Sequence, residues 1–272
     1  MSVSAPPSPI GAQNVRNAQD AAATLARAAR AAGAMAMEWF HAGRRTRARV
    51  DYKHGGSPVT EADLAVDAFL AAELRAAFPY AGWLSEETAD SAERLSREWV
   101  LIVDPIDGTR AFADGDPRWA VSVALVRRGA PFAAALEAPA LDQSFTALAG
   151  AGAFLNGARL SAADNVSRKV AGPKPLIEKL ARRLDLETTP KTPSLAVRMA
   201  HVASGVFGAA VASPNAHDWD IAAADLILRE AGARLAGLDG RRIVYNRDAI
   251  RHGALYAAPA HLHDALIAAA RS

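Results

Sequence analysis

Hydrophobic positions change their period along the 272 residues in a way that predicts alternating helices and strands. Residues 18–40 are alanine-rich, carry Leu25, Met35, Trp39 and Phe40, and predict a first helix. A second helix opens after Ser57-Pro58-Val59: Thr60 suits the N-cap with Asp63 three residues on. Val66, Phe69, Leu70, Leu74 and Ala77 then recur at helical spacing, and Pro79 marks the stop. The run 99–103 is continuously apolar, as in a strand buried on both faces, and it enters Asp104-Pro105-Ile106-Asp107-Gly108-Thr109 directly. Segments 120–126 and 131–138 flank Arg127-Arg128-Gly129 as a hairpin, and 144–148 adds a strand. Gly150, Gly152 and Asn156-Gly157 mark turns. Helices are expected at 194–204, 218–231 and 260–271, the last preceded by a short strand at 254–258.

Composition narrows the reading. Hydrophobic residues make up 51% of the chain, with alanine a large share, so the core should be helix-rich and built from small side chains. No cysteine is present, which excludes disulfides, thiolate metal sites and thiol catalysis and suits a reducing, cytoplasmic setting. No apolar run is long enough for stable membrane insertion, and residues 1–10 lack the basic flank and apolar stretch of a signal peptide. We expect a loose tail over 1–15, an α+β metal-binding half over 16–149 and an α/β half over 150–272 that completes the site.

The net charge of +2 conceals a division: residues 61–120 hold thirteen acids against five bases, between basic segments at 1–60 and 168–200. An acidic centre flanked by basic segments suits divalent cations and an anionic substrate. The arginines at 44, 45, 47 and 49 have no interleaved aromatics, so they read as a solvated loop and no nucleic-acid partner is expected. No P-loop occurs.

Asp104 to Thr109 is the richest stretch. Two carboxylates three apart end a buried strand, Pro105 interrupts the ladder between them, and the Ile106 carbonyl lies between. Such oxygens are what magnesium takes. Gly108 allows close backbone approach, the Gly108 and Thr109 amides suit a phosphate oxygen, and the Thr109 hydroxyl suits a water. Alone, an Asp-x-x-Asp also reads as a solvated turn. Ser85-Glu86-Glu87 alone reads as a helix N-terminus. In His217-Asp218-Trp219-Asp220, Asp220 is a candidate oxygen ligand from the second half, Asp218 a candidate N-cap and His217 a structural hydrogen-bonder.

Together, Asp-Pro-Ile-Asp-Gly-Thr after an apolar strand, the upstream Thr-x-x-Asp, the Glu-Glu pair and the later Trp-Asp-Ile-Ala-Ala-Ala-Asp resemble the inositol monophosphatase superfamily of lithium-inhibited, magnesium-dependent phosphatases, from about residue 20 to the end. The resemblance implies a layered αβαβα sandwich and a homodimer. It implies two or three Mg2+ held by Glu86, Asp104, the Ile106 carbonyl, Asp107 and Asp220. Asp63 and Thr109, with Glu86, would activate the attacking water. Gly108, Thr109, Ser194 and Asp220 would contact a small phosphorylated substrate.

Within the superfamily, the stretch from Lys53 to Asp63 and Leu84-Ser85-Glu86-Glu87 resemble the CysQ-type 3'(2'),5'-bisphosphate nucleotidases, which act on adenosine 3',5'-bisphosphate, a by-product of sulfate activation. The acid that inositol-specific members carry shortly before His-x-Trp-Asp is missing from residues 209–216. A polyol would lose a hydrogen-bonding partner there. The basic stretch 168–191 is expected to meet a second phosphate. Two departures bear on the substrate: Pro193-Ser194-Leu195 replaces a Gly-Ser or Gly-Thr loop, and Gly208 stands where many relatives have aspartate. Inositol 1-phosphate is the alternative substrate. A catalytically silent regulator on the same fold is the other alternative, and it would be expected to lack Asp63 or Thr109.

Overall fold

A computed structural model describes residues 12–53 and 55–272. Helix α1 (Ala12–Met37) leads into a small antiparallel pair, β1 (Val50–Tyr52) and β2 (Pro58–Thr60), and then α2 (Glu61–Ala77). The main sheet follows: β3 (Gly82–Ser85), β4 (Trp99–Asp107), the short helix α3 (Thr109–Asp114), β5 (Ala120–Arg127), β6 (Ala130–Ala138), β7 (Gln143–Leu148), β8 (Gly152–Leu155) and β9 (Ala158–Arg159). The second half comprises β10 (Lys169–Ala171), α4 (Lys174–Leu184), β11 (Glu187–Thr188), α5 (Leu195–Ala203), β12 (Ala209–Ala212), α6 (Asp218–Glu230), β13 (Ala233–Gly237), β14 (Leu255–Pro259) and α7 (Ala260–Arg271).

Seven strands pair in chain order from β3 to β9, with β3–β4 parallel and the rest antiparallel. The five-stranded sheet runs β11-β10-β12-β14-β13. Helices α1 and α2 cover one face of the large sheet, α5 and α6 lie between the sheets, and α4 and α7 cover the far face of the small one. This is the expected αβαβα sandwich. Period-two alternation builds it: Val121, Val123 and Leu125 of β5 point into the core under α1 and α2, while Ala120, Ala124 and Val126 point into the core around α5 and α6. A strand buried on both faces reads as an unbroken apolar run, which is why residues 99–103 announced β4.

Residues 1–11 of the expected tail lie outside the described residues, as does His54, and residues 12–15 already belong to α1. The expected division at 149/150 falls inside the large sheet, between β7 and β8; the chain passes to the small sheet between Arg159 and Lys169. Among the described residues no helix is long and apolar enough to cross a membrane.

Candidate metal centre

In a regular strand, residues three apart face opposite sides, so Asp104 and Asp107 would diverge. The β4–β5 ladder prevents this. Asp104 pairs with Ser122 and Asp107 with Ala120, so Pro105 and Ile106 together oppose Val121. This bulge restores the parity. Ile106 turns into the core under α2, and both aspartates face α5 and α6.

Three elements then converge. Strand β3 lies parallel to β4 with Ser85 opposite Val103, so Glu86, the next residue, falls beside Asp104; its N–H reaches the Val103 carbonyl at 3.3 Å. Asp220 comes from the first turn of α6, whose start touches β5 through Ser122 Oγ and the Trp219 carbonyl, 3.4 Å apart. One carboxylate oxygen from each of Glu86, Asp104 and Asp220 lies within 4.8 Å of the others. On the other side Asp63, in a capping box with Thr60, accepts from Thr60 N–H (2.8 Å) and lies 3.0 Å from Thr109 Oγ1. Thr109 Oγ1 is also 3.1 Å from the Ile106 carbonyl.

Electrostatics make this cluster costly for the chain alone. Asp104 is 1% exposed, and its Oδ2 has no hydrogen-bond partner. Burial, then repulsion from Glu86, Asp107, Asp220 and Asp63, raises its pKa well above the ordinary range. Burial lifts Asp63 to about 6 against its hydrogen bonds from Thr60 and Thr109. Burial, followed by repulsion from Asp220, lifts Asp107 to about 7. A set of oxygen donors with a buried carboxylate oxygen left unpartnered fits a hard divalent cation, whose charge would reverse these shifts. Glu86, Asp104 and Asp220 are the residues that would hold it.

Not every expected residue joins that cluster. Asp107 instead faces the N-terminus of α5, accepting from Ser194 Oγ, Leu195 N–H (3.3 Å) and Ala196 N–H (2.6 Å). Ser194, expected at the substrate, is fully buried, because its hydroxyl also caps α5 through Val197 N–H at 3.0 Å. His217, not Asp218, is the N-cap of α6; it stacks on Trp219 and is 3.0 Å from Arg251 Nε. Asp218 is buried on His252 Nε2 (2.7 Å) and Asn246 N–H (3.1 Å). Gly108, in the left-handed region at φ 95°, turns the chain from β4 into α3, whose leading N–H groups have no intrahelical acceptors.

Sequence reasoning missed two cations. Lys53 Nζ bridges Glu86 (2.8 Å) and Glu87 (2.7 Å). Arg198, 7% exposed on α5, gives one bond to the Val211 carbonyl (2.8 Å), feels the charge of Asp107 and leaves its buried Nε unpartnered. No local pattern marks either. Within the basic stretch 168–191, Arg168 pairs with Asp185, while Lys179 and Arg183 bind the last carbonyls of α7. Those side chains are spent on the far face of the small sheet. Gly208 has a steric reason: a Cβ there would lie 1.8 Å from the Ser167 carbonyl oxygen, so no aspartate fits.

A model of the inositol monophosphatase family matches residues 17–272. The chain is 36% identical to the histidinol-phosphatase of Mycobacterium tuberculosis, over 71% of this chain and 78% of that protein. It is 32% identical to the inositol-1-monophosphatase of Mesorhizobium japonicum, over 82% and 86%. It is 30% identical to the 3'(2'),5'-bisphosphate nucleotidase CysQ of Aggregatibacter actinomycetemcomitans, over 73% and 78%. Among solved structures, the extragenic suppressor protein SuhB of Bartonella henselae superposes with a TM-score of 0.79 at 26% identity, covering 95% of this chain and 99% of that one.

Proposed function

The chain belongs to the inositol monophosphatase family, whose members are magnesium-dependent phosphatases, and on that premise we propose that it hydrolyses adenosine 3',5'-bisphosphate to AMP and phosphate. The observation that carries the reaction is the meeting of Glu86, Asp104 and Asp220 around one point beside the Asp63–Thr109 pair. Two or three Mg2+ would sit among these carboxylates, the Ile106 carbonyl and the neighbouring Asp107. Bound there, magnesium supplies charge to offset the phosphate's and lowers the pKa of water.

This chain's own residues handle the proton. Asp63, at about 6, is ionised at neutral pH and accepts a hydrogen bond from Thr109 Oγ1. The threonine oxygen is then free to accept from a water and orient it towards phosphorus. Attack of that water forms the new P–O bond as the ester P–O bond breaks; its proton passes by way of Thr109 Oγ1 to Asp63, the 3' oxygen leaves as an alkoxide that takes a proton from a second, solvent water, and Asp63 returns its proton to the hydroxide so formed. The N–H groups of Gly108 and Thr109, at the turn into α3, would meet a phosphate oxygen. A silent regulator would have no use for the Asp63–Thr109 contact, and its presence favours catalysis.

The substrate rests on two features of the second half. Residues 209–216 present no acid to a sugar ring. Arg198 places a guanidinium charge in the second half, close enough to Asp107 to feel it, that would attract a second anionic group. Inositol 1-phosphate is the second reading, favoured by the similarity to the Mesorhizobium enzyme over most of both chains. The proposal carries with it a cytoplasmic homodimer inhibited by lithium. A phosphate-release panel with magnesium tests it: adenosine 3',5'-bisphosphate, inositol 1-phosphate, histidinol phosphate and fructose 1,6-bisphosphate. The first should be turned over with the highest kcat/KM. A clear preference for any of the others overturns the substrate assignment.

A further inference from the structure

Glu86 is the one member of the carboxylate cluster that stands beyond the end of a regular element. Strand β3 stops at Ser85, and the chain from Glu86 to Ser91 has no strand or helix of its own. Something must hold that loop. Asp67, one turn after Asp63 on the same face of α2 and 7% exposed, takes a hydroxyl on each side of the Glu86-Glu87 pair. Ser85 Oγ donates to its Oδ1 at 2.5 Å and Thr88 Oγ1 to its Oδ2 at 2.6 Å. Ser85 Oγ in turn lies 3.4 Å from the Glu87 N–H.

We infer that Asp67 is a positioning residue: its carboxylate staples the loop to α2 at two points and so presents the Glu86 side chain to Asp104 and Asp220. Two anchors three residues apart fix both the height and the rotation of the segment between them, which one anchor would not. An ionised carboxylate accepts at both oxygens, and O–H donors bound to a charged acceptor make short, strong bonds. Asparagine keeps the shape but turns one acceptor into a donor that meets a hydroxyl. Helix α2 therefore acts twice: Asp63 reaches the reacting water, and Asp67 sets a ligand it does not touch.

The inference rests on Glu86 binding metal, so the test reads metal binding directly, without substrate. Magnesium or manganese is titrated calorimetrically into the full chain, into Asp67→Asn, and into the Ser85→Ala/Thr88→Val double variant, which removes the same two bonds from the loop side. Both variants should bind the ion about 10- to 100-fold more weakly, as when partners that orient metal ligands are removed elsewhere. The magnesium requirement for phosphate release should rise in parallel, with kcat at saturating magnesium held within a few-fold. Should Asp67→Asn fail to fold, the double variant carries the test alone. A lowered melting point with unchanged metal affinity means a merely structural role and overturns the inference. No binding by the unaltered protein overturns the metal reading itself, a distinguishable result.

Discussion

Asp104→Asn should have opposite effects on stability and turnover. Asp104 is fully enclosed, one oxygen has no partner, and carboxylates of Glu86 and Asp220 lie within 4.8 Å. At that separation one like charge costs about 3.5 kcal/mol at an effective dielectric of about 20, and there are two. The metal-free chain escapes part of this by protonating Asp104. Burial and these neighbours raise its pKa well above the ordinary carboxylate range, so holding that proton carries a cost of its own. Asparagine avoids either cost, keeps the acceptor for Ile106 N–H, and turns an N–H towards the neighbouring carboxylates. In chelator the variant should therefore be more stable by about 3 kcal/mol, a rise in melting temperature on the order of 10 °C. With magnesium the unaltered protein should gain stability and the variant little. Phosphate release should fall by at least about a thousandfold, about 4 kcal/mol of barrier. Differential scanning calorimetry with and without chelator, beside a phosphate assay, measures both. A variant that melts below the unaltered protein in chelator, or that turns over near its rate, refutes the reasoning.

Thr109→Val should remove turnover while leaving calorimetric magnesium binding within a few-fold, because the hydroxyl serves the water rather than the ion; loss of binding would contradict that division. Arg198→Met should raise KM for adenosine 3',5'-bisphosphate about tenfold or more and leave a singly phosphorylated nucleotide unaffected, since one charged hydrogen-bonding group is lost; equal effects on both would remove Arg198 from substrate recognition. In chelator, Asp63 and Asp107 keep protons up to about 6 and about 7, whereas the unfolded chain releases them near 3.8. The folded state binds more protons across that window, so this contribution to stability is full below about pH 4 and is lost as pH rises through about 7. Urea midpoints rising over the same interval would reverse the assigned shifts.

What could be read without the structure depended on whether the determinant was local. The Thr60–Asp63 capping box, the double-faced apolar strand β4 and the Arg128-Gly129 turn, with φ of 49° and 79°, are set by neighbours in sequence, and each was legible. Strand β12 was not, because Ala209-Ala210-Val211-Ala212 has little intrinsic preference for a strand and is one only because β10 and β14 flank it. Helix α4 was hidden by its basic residues: only Ile177 and Leu180 are buried, a stripe too narrow to stand out. In the site, the odd spacing of Asp104 and Asp107 demanded a bulge, and Pro105 supplied the local cause. Glu86 was accessible only through family resemblance and Asp220 only as a lone candidate oxygen donor, since nothing in either segment shows that the two meet. Asp67 and Arg198 stayed invisible for the same reason: their partners lie 18, 21 and 13 residues away.

The identity of the groups that orient the carboxylates argues for a cation over a self-contained salt-bridge network. Asp63 is held by an amide and hydroxyls, Asp104 by the Ile106 N–H, Asp107 by a hydroxyl and two amides, and Asp220 by the His217 N–H. Among the described residues only Glu86 of this set pairs directly with a Lys or Arg, Lys53, while Asp107 feels the more distant charge of Arg198. Neutral donors fix direction without cancelling charge, so the cluster keeps a negative excess that a chain evolved for stability alone would have met with arginine. The two halves must also be docked for the excess to exist. Arg94 binds Asp90, four residues after Glu86, and reaches Asn246 at 2.9 Å, whose N–H reaches Asp218 at the head of α6. That latch ties the loop bearing Glu86 to the helix bearing Asp220. The site is therefore a property of the closed sandwich, and the repulsion gathered there is the driving force with which it takes up divalent ions.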